Sequence, residues 1–177
     1  YVVWRNQPIY RNPIRQELLQ TLTAFADGLG HPLVYMDAET MRSSADYHVH
    51  IEESIATLQM PHPEYDPAYY IEKEIYQSLL FCSEEEEQAY RERFPELEFV
   101  RWHPFALDVM PSGGSKAKGI ERIIERLGIN KEEIYAFGDY LNDIEMLEFA
   151  GYSVAMGNAP DVVKRAAKFV TRDVEED

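Results

Sequence analysis

Within six residues, Gly138-Asp139-Tyr140-Leu141-Asn142-Asp143, the sequence sets two carboxylates and an amide directly after the apolar run Ile134 to Phe137. The run is long enough for a short buried strand. Gly138 is read as the point that releases the backbone from it. Unpaired charge in a core is costly, so such groups pair, bind a metal or face a cleft. In open α/β sheets, ligands sit just outside the carboxyl ends of strands. One reading is therefore a divalent-metal and phosphate site at Asp139 and Asp143. The other is a helix start, where acidic residues complement the dipole. The local sequence leaves both open.

Mg²⁺ is a hard cation that takes carboxylate oxygens and substrate phosphate while keeping several waters. Asp139 and Asp143 could supply part of that shell. Lys116 could neutralise a phosphoryl group as a point charge. Asn142, Asn158 and nearby backbone N–H groups could position it. Positioning and charge neutralisation are what phosphoryl transfer requires. A nucleophile is missing, because both aspartates are better used on the metal and no Ser-His or Cys-His arrangement replaces them. Gly113-Gly114-Ser115-Lys116 lacks the glycine spacing and the Lys-Ser/Thr pair of a P-loop.

The elements that would carry these groups follow from patterning. Ala106 to Met110 reads as a strand and Pro111 to Ser115 as a turn. Ile120, Ile123, Ile124 and Leu127 form one helical stripe, with Ser115 as N-cap and Gly128 closing the helix. That places Lys116 and Lys118 in a first turn, where cations oppose the dipole. A locally unfavourable choice of this kind tends to mark a site. After the Asp139 turn come a helix to Gly151 and a strand from Tyr152 to Ala155. Pro160 then opens a helix burying Val162, Val163, Ala166 and Ala167, and Lys168 to Thr171 is a last strand. The alternation predicts a parallel sheet covered on both faces. Three loops then converge at its carboxyl edge, carrying Lys116, the Asp139–Asp143 turn, and Gly157 with Asn158.

Residues 1–103 read as a small α+β module of order β-β-α-β-(α)-β-α-β. A hairpin turns at Arg5-Asn6, a helix runs from about Ile14 to Gly28, and Pro32 to Met36 is a strand. If Tyr47 to Ile51 were a strand, His48 and His50 would share a face; a metal role there lacks a third ligand and is set aside for a solvated or substrate-facing surface. Ile75 to Cys82 and Leu97 to Trp102 are strands. Between them, Ser83 and Glu86 make a capping box for an acidic helix.

The chain has 177 residues and is 45% hydrophobic, enough to build a core. Its net charge of −15 excludes a nucleic-acid partner, since no basic face could neutralise phosphates. Residues 1–103 carry 8 Lys+Arg against 18 Asp+Glu and residues 104–177 carry 9 against 14, which suggests two modules, the second better suited to an anion. Cys82 stands alone, so no internal disulfide forms, and the expected compartment is the cytoplasm. It is read as a small buried hydrophobe. No run approaches the roughly 20 apolar residues of a membrane helix. The first residue is Tyr rather than Met, so the chain is expected to be a segment of a longer protein.

Asp108-Val-Met-Pro, Ser115-Lys116, Gly138-Asp139-Tyr-Leu-Asn142-Asp143-Ile-Glu-Met-Leu and Ala155-Met-Gly-Asn-Ala159 together resemble the carboxyl-terminal part of Cof-type haloacid dehalogenase-like (HAD) phosphatases. The resemblance implies that Lys116 is the family's third-motif lysine and that the Asp139 turn is its metal-binding motif. Ala155–Ala159 would be a phosphate-site loop. It further implies an α/β fold: a partial Rossmann-like HAD core over residues 104–177 and a small α+β cap of the type IIB kind over residues 1–103, which sets specificity. Tyr140 stands where members often have Gly. The family's first motif, Asp-x-Asp, and its second-motif Ser/Thr have no counterpart here. The resemblance thus implies a Mg²⁺-dependent phosphatase acting on a small phosphorylated metabolite through an aspartyl-phosphate in the intact protein, with this chain inactive alone. The alternative is a metal- and phosphate-binding module without turnover.

Overall fold

The computed structural model describes residues 1–176 and divides the chain into two compact units. The first comprises Tyr1 and Arg11–Gly113; the second comprises Val2–Tyr10 and the residues from Gly114 onward.

The first unit is built on a five-stranded antiparallel sheet. Its strands are β3 (Leu33–Met36), β4 (Met41–Ser43), β5 (Gln77–Phe81), β6 (Leu97–His103) and β7 (Ala106–Pro111), in the order β4-β3-β5-β7-β6. Successive side chains alternate between its faces. One face buries Leu33, Tyr35, Leu80, Leu107 and Val109 against α1 (Gln16–Gly28) and α4 (Glu84–Arg93). The expected capping box opens α4: Glu86 Oε2 accepts from the Ser83 N–H at 2.9 Å and from its hydroxyl at 2.8 Å. Four glutamates follow in the first turn, where the dipole favours them. The other face packs Val34, Leu79, Phe81 and Ala106 against Ile51 and Ile55 of α2 (Val49–Ala56). A short α3 (Tyr69–Glu72) precedes β5.

This arrangement moves the boundary expected at 103/104 to Gly113. The reason is register: β7 pairs with β5 from Ser78↔Val109 to Phe81↔Ala106 and with β6 on its other side. It is an inner strand of the first unit and cannot belong to the second. The segment around His48 and His50 is likewise not a strand. His48 is the N-cap of α2, with its Nδ1 accepting the His50 N–H at 3.2 Å. Cys82 is buried as expected, and burial pushes its thiol up to about 11.

The second unit holds a three-stranded parallel sheet, β8 (Tyr135–Gly138), β9 (Tyr152–Ala155) and β10 (Phe169–Val170), with β9 in the middle. Its core is Ala136 and Ala155 from the sheet, Leu147 from α6 (Ile144–Phe149) and Val163 from α7 (Asp161–Ala166), closed by Ala150 and Ala159. Val162, expected in that core, is 42% exposed. Tyr135 and Phe137 on the opposite sheet face are 66% and 60% exposed, so among the described residues the expected cover on both faces is not met. The hairpin β1 (Val2–Trp4) and β2 (Gln7–Tyr10) belongs with this unit. Arg5 and Asn6 both take positive φ at its two-residue turn. Its Tyr10 ring lies under the Arg122 guanidinium of α5 (Lys116–Leu127), 5.8 Å from the ring centre.

Candidate active site

Two features of the second unit bring charged groups to one edge of the parallel sheet. Gly138 and Ala155 are register partners, so β8 and β9 end together. The loops that follow leave from the same edge, and the Met156 N–H donates to Gly138 O at 2.9 Å. After Gly138 the chain makes one 3₁₀ turn, Leu141–Asp143, and enters α6.

Asp143 folds back under that turn and is 3% exposed. Its Oδ2 accepts from the backbone N–H groups of Asp139 at 3.0 Å and Tyr140 at 3.3 Å. Its Oδ1 accepts from Lys116 Nζ at 2.5 Å. Burial pushes the Asp143 carboxyl up, but the Lys116 ammonium and the two N–H groups outweigh it and hold the group below the usual carboxylate range. The turn therefore contains an ionised aspartate with both oxygens engaged.

The same pair explains the awkward cation at the start of α5. Ser115 is the N-cap, its Oγ accepting from Lys118 N–H at 3.4 Å, and Gly128 closes the helix at φ 66°. Lys116 thus stands in the first turn, as the sequence predicts. Its side chain is 50% exposed and Asp143 is its counter-ion, offsetting the unfavourable dipole.

Gly138 is needed for space. A Cβ there would lie 2.6 Å from Asp143 Cβ and 2.9 Å from its Cγ. Its φ is not positive, so backbone release, the reason expected from sequence, is not the cause. Gly157 is confined in the same way: a Cβ would meet the Arg172 carbonyl at 2.4 Å. The Gly157 N–H donates to Thr171 Oγ1 at 3.0 Å and to Arg172 O at 3.2 Å, a tie between this loop and the segment after β10 that no sequence motif signals.

Of the five expected site residues, the structure joins Lys116 and Asp143 directly and sets Asp139 on the same turn. Asp139 is exposed, and no described residue engages its carboxylate. Asn142 and Asn158 are exposed on the two neighbouring loops, without a side-chain hydrogen bond to the Lys116–Asp143 pair. The described residues contain no group of three His, Cys, Asp or Glu able to hold a metal. This donor set does not fit a closed all-protein cage. It does fit Mg²⁺, which binds through one or two carboxylates plus substrate phosphate and water.

In the first unit, the polar and aromatic side chains Arg101, Tyr69, Tyr70 and His50 have partners of their own. Arg101 Nε donates to Glu87 Oε2 at 2.7 Å. The Tyr69 hydroxyl donates to Asp37 at 2.6 Å. Tyr70 lies against Tyr35, with ring centres 5.0 Å apart. His50 stacks on Phe105 at 4.2 Å.

The α/β second unit thus places a lysine, a buried aspartate and an open carboxylate at the carboxyl edge of its parallel sheet. The haloacid dehalogenase-like hydrolase family model matches residues 1–177. The "Putative phosphatase YkrA" of Bacillus subtilis (strain 168) is 48% identical over 177 residues, all of this chain and 68% of that protein. The crystal structure of a hypothetical protein from Geobacillus kaustophilus HTA426 superposes with a TM-score of 0.90 at 56% identity, over 94% of this chain and 65% of that one. The HAD subclass IIB sugar phosphatase BT4131 matches with a TM-score of 0.78 at 34% identity, covering 95% and 65%. The chain belongs to the haloacid dehalogenase-like hydrolases, and it spans about two thirds of the length of these relatives.

Proposed function

We propose that the intact protein is a Mg²⁺-dependent phosphatase that hydrolyses a small phosphorylated metabolite through an aspartyl-phosphate, and that this chain supplies the charge-handling part of its site. The observation that carries the reading is Lys116 Nζ, held 2.5 Å from a buried Asp143 on the turn that presents Asp139. In this reading Lys116 neutralises the phosphoryl group. Asp143 fixes where the ammonium stands, because both of its oxygens are already engaged. Asp139 is the residue that would hold the metal. When bound, Mg²⁺ would supply further neutralisation of the phosphoryl oxygens. Asn142 and Asn158 orient the phosphate from the neighbouring loops. The first unit is the cap that selects the leaving group. The sugar phosphatase among the relatives supports a sugar phosphate as substrate.

No Asp-x-Asp pair occurs among the 177 residues, so the attacking group must come from elsewhere in the intact protein. The test is hydrolysis of p-nitrophenyl phosphate with Mg²⁺, by this chain alone and with an added amino-terminal segment that carries such a pair. Turnover is expected only with the segment. Full activity of the chain alone would contradict the assignment of roles.

The described residues include no helix long and apolar enough to cross a membrane. We assign the protein to the cytoplasm from its lone buried cysteine, and its partner is a small phosphorylated molecule rather than nucleic acid, given the net charge of −15.

A further inference from the structure

Asp27 lies in the last turn of α1, where a carboxylate opposes the negative end of the helix dipole, and that turn holds no basic residue. Lys116 is the mirror case, a cation at a helix start, and there Asp143 is the counter-ion. Asp27 has no such compensation: among the described residues no group engages its carboxylate. A locally unfavourable choice left uncompensated tends to mark a site.

The same residue borders a cleft of about 390 Å³ in the first unit. Gln20, Thr23 and Asp27 line it from one stripe of α1, at helical spacing. Tyr35 and Tyr70, with ring centres 5.0 Å apart, add aromatic surface. The Tyr35 and Thr23 hydroxyls share a hydrogen bond at 3.2 Å. Burial pushes the Tyr35 hydroxyl up to about 12, and the neighbouring Tyr70 and Asp27 add to this, so it is neutral and stands within the field of the carboxylate. No lysine or arginine lines the cleft. Its two histidines are committed to other groups. His31 Nδ1 lies 2.7 Å from the Tyr90 hydroxyl and its Nε2 lies 3.1 Å from Glu86 Oε1. His48 Nδ1 accepts from the His50 N–H, which requires that nitrogen to be unprotonated.

A cleft with one free carboxylate, no cation, hydroxyl and amide oxygens and an aromatic wall complements a positively charged group that donates hydrogen bonds. An ammonium ion meets each of these. It pairs with Asp27, donates to oxygens of the Thr23–Tyr35 pair and of Gln20, and lays its alkyl body against the half-buried Tyr70 ring. A metal ion fits less well, because the described residues offer no group of three His, Cys, Asp or Glu to hold one. Anions are opposed by Asp27 and by the net charge of −15. We propose that this cleft binds a small primary amine as its ammonium ion, with Asp27 as the counter-charge. The site lies wholly on the first unit and does not rest on the phosphatase reading.

Amide NMR spectra of the full chain, titrated with butylammonium chloride at constant ionic strength, test this. Saturable shifts are expected at Thr23, Asp27, Tyr35 and Tyr70, with a midpoint in roughly the millimolar range. Asp27→Asn keeps the volume and removes the charge, and should raise the midpoint about tenfold. Asp27 is exposed, so the fold tolerates the change, and circular dichroism checks it. Asp27→Lys carries its own ammonium and should abolish the response. Neutral 1-butanol and anionic butyrate should give no saturable shift. Absence of saturation, shifts confined to the acidic turn Glu84 to Glu87, saturation of the same resonances by 1-butanol or by magnesium chloride at the same concentrations, or an unchanged midpoint in Asp27→Asn would each overturn the proposal.

Discussion

Asp143→Ala should destabilise the second unit by about 3 kcal/mol, whereas Asp143→Asn should cost about half of that. The alanine variant removes the acceptor for the Asp139 and Tyr140 N–H groups and for Lys116 Nζ together. Lys116 is half exposed and can hydrate, so its share of the loss is small. The backbone donors lie over a residue that is 3% exposed, and their loss dominates. Asn keeps an oxygen for those donors and gives up only the charge that holds the ammonium. Stability and site function therefore separate. In an active, extended protein, Asp143→Asn should retain most of the fold yet lose turnover, because Lys116 is no longer held. Urea denaturation of both variants checks the ranking. Equal stability losses would show that the ion pair, not the turn, is the main contribution.

Gly138→Ala should cost a further type of energy, about 2–3 kcal/mol of overpacking. The new methyl would stand 2.6 Å from Asp143 Cβ, an atom fixed close to the backbone and unable to swing aside. Either β8 shifts against β9, with which it is paired up to Gly138↔Ala155, or the 3₁₀ turn opens and releases Asp143. The second route would also free Lys116. Denaturation midpoints for Gly138→Ala alone and combined with Asp143→Gly, which removes that Cβ, discriminate the two causes. If the clash is with the Asp143 side chain, truncating it should recover part of the loss and the two effects will not add. Strict additivity would place the strain elsewhere.

Much of this site is legible from residue spacing. The Ile134–Phe137 run forms strand β8, with Tyr135 and Phe137 exposed rather than buried, and the crowd of acids after Gly138 and Ser115 as a cap placing Lys116 in the first turn of a helix are found in the structure. The mild conflict of a lysine with the helix dipole proved informative, because Asp143 resolves it through a contact 27 residues away. What spacing could not separate was the work of the two aspartates. Whether a carboxylate turns inward to cap its own turn or outward to solvent depends on backbone path. The close seat at Gly138 decides it, and an isolated glycine suggests freedom as readily as tight packing. The boundary between units was hidden for a different reason. An alternating stretch such as Ala106–Met110 fits a strand in either unit, and only its partners, Ser78–Phe81 and Leu97–His103, settle which sheet it joins. The short α2 was missed because His48-Val-His-Ile reads as alternation, while its cap is a histidine rather than Ser, Thr, Asp or Asn. The resemblance to Cof-type phosphatases rests on residues 108–159, and the family match extends it over the whole chain.

The central claim is a division of labour on one turn, with Asp139 outward for the metal and Asp143 inward for Lys116. Mg²⁺ titration of p-nitrophenyl phosphate hydrolysis tests it most directly, in the chain extended by an Asp-x-Asp segment and in its Asp139→Ala variant. The account predicts saturable Mg²⁺ activation in the parent and a fall of about a hundredfold or more in turnover for Asp139→Ala, not restored at high Mg²⁺. The Asp139 carboxylate bears no hydrogen bond among the described residues, and its backbone N–H bond to Asp143 survives truncation, so the variant should keep its thermal midpoint. An Asp139→Ala protein with unchanged Mg²⁺ dependence and turnover would contradict the account.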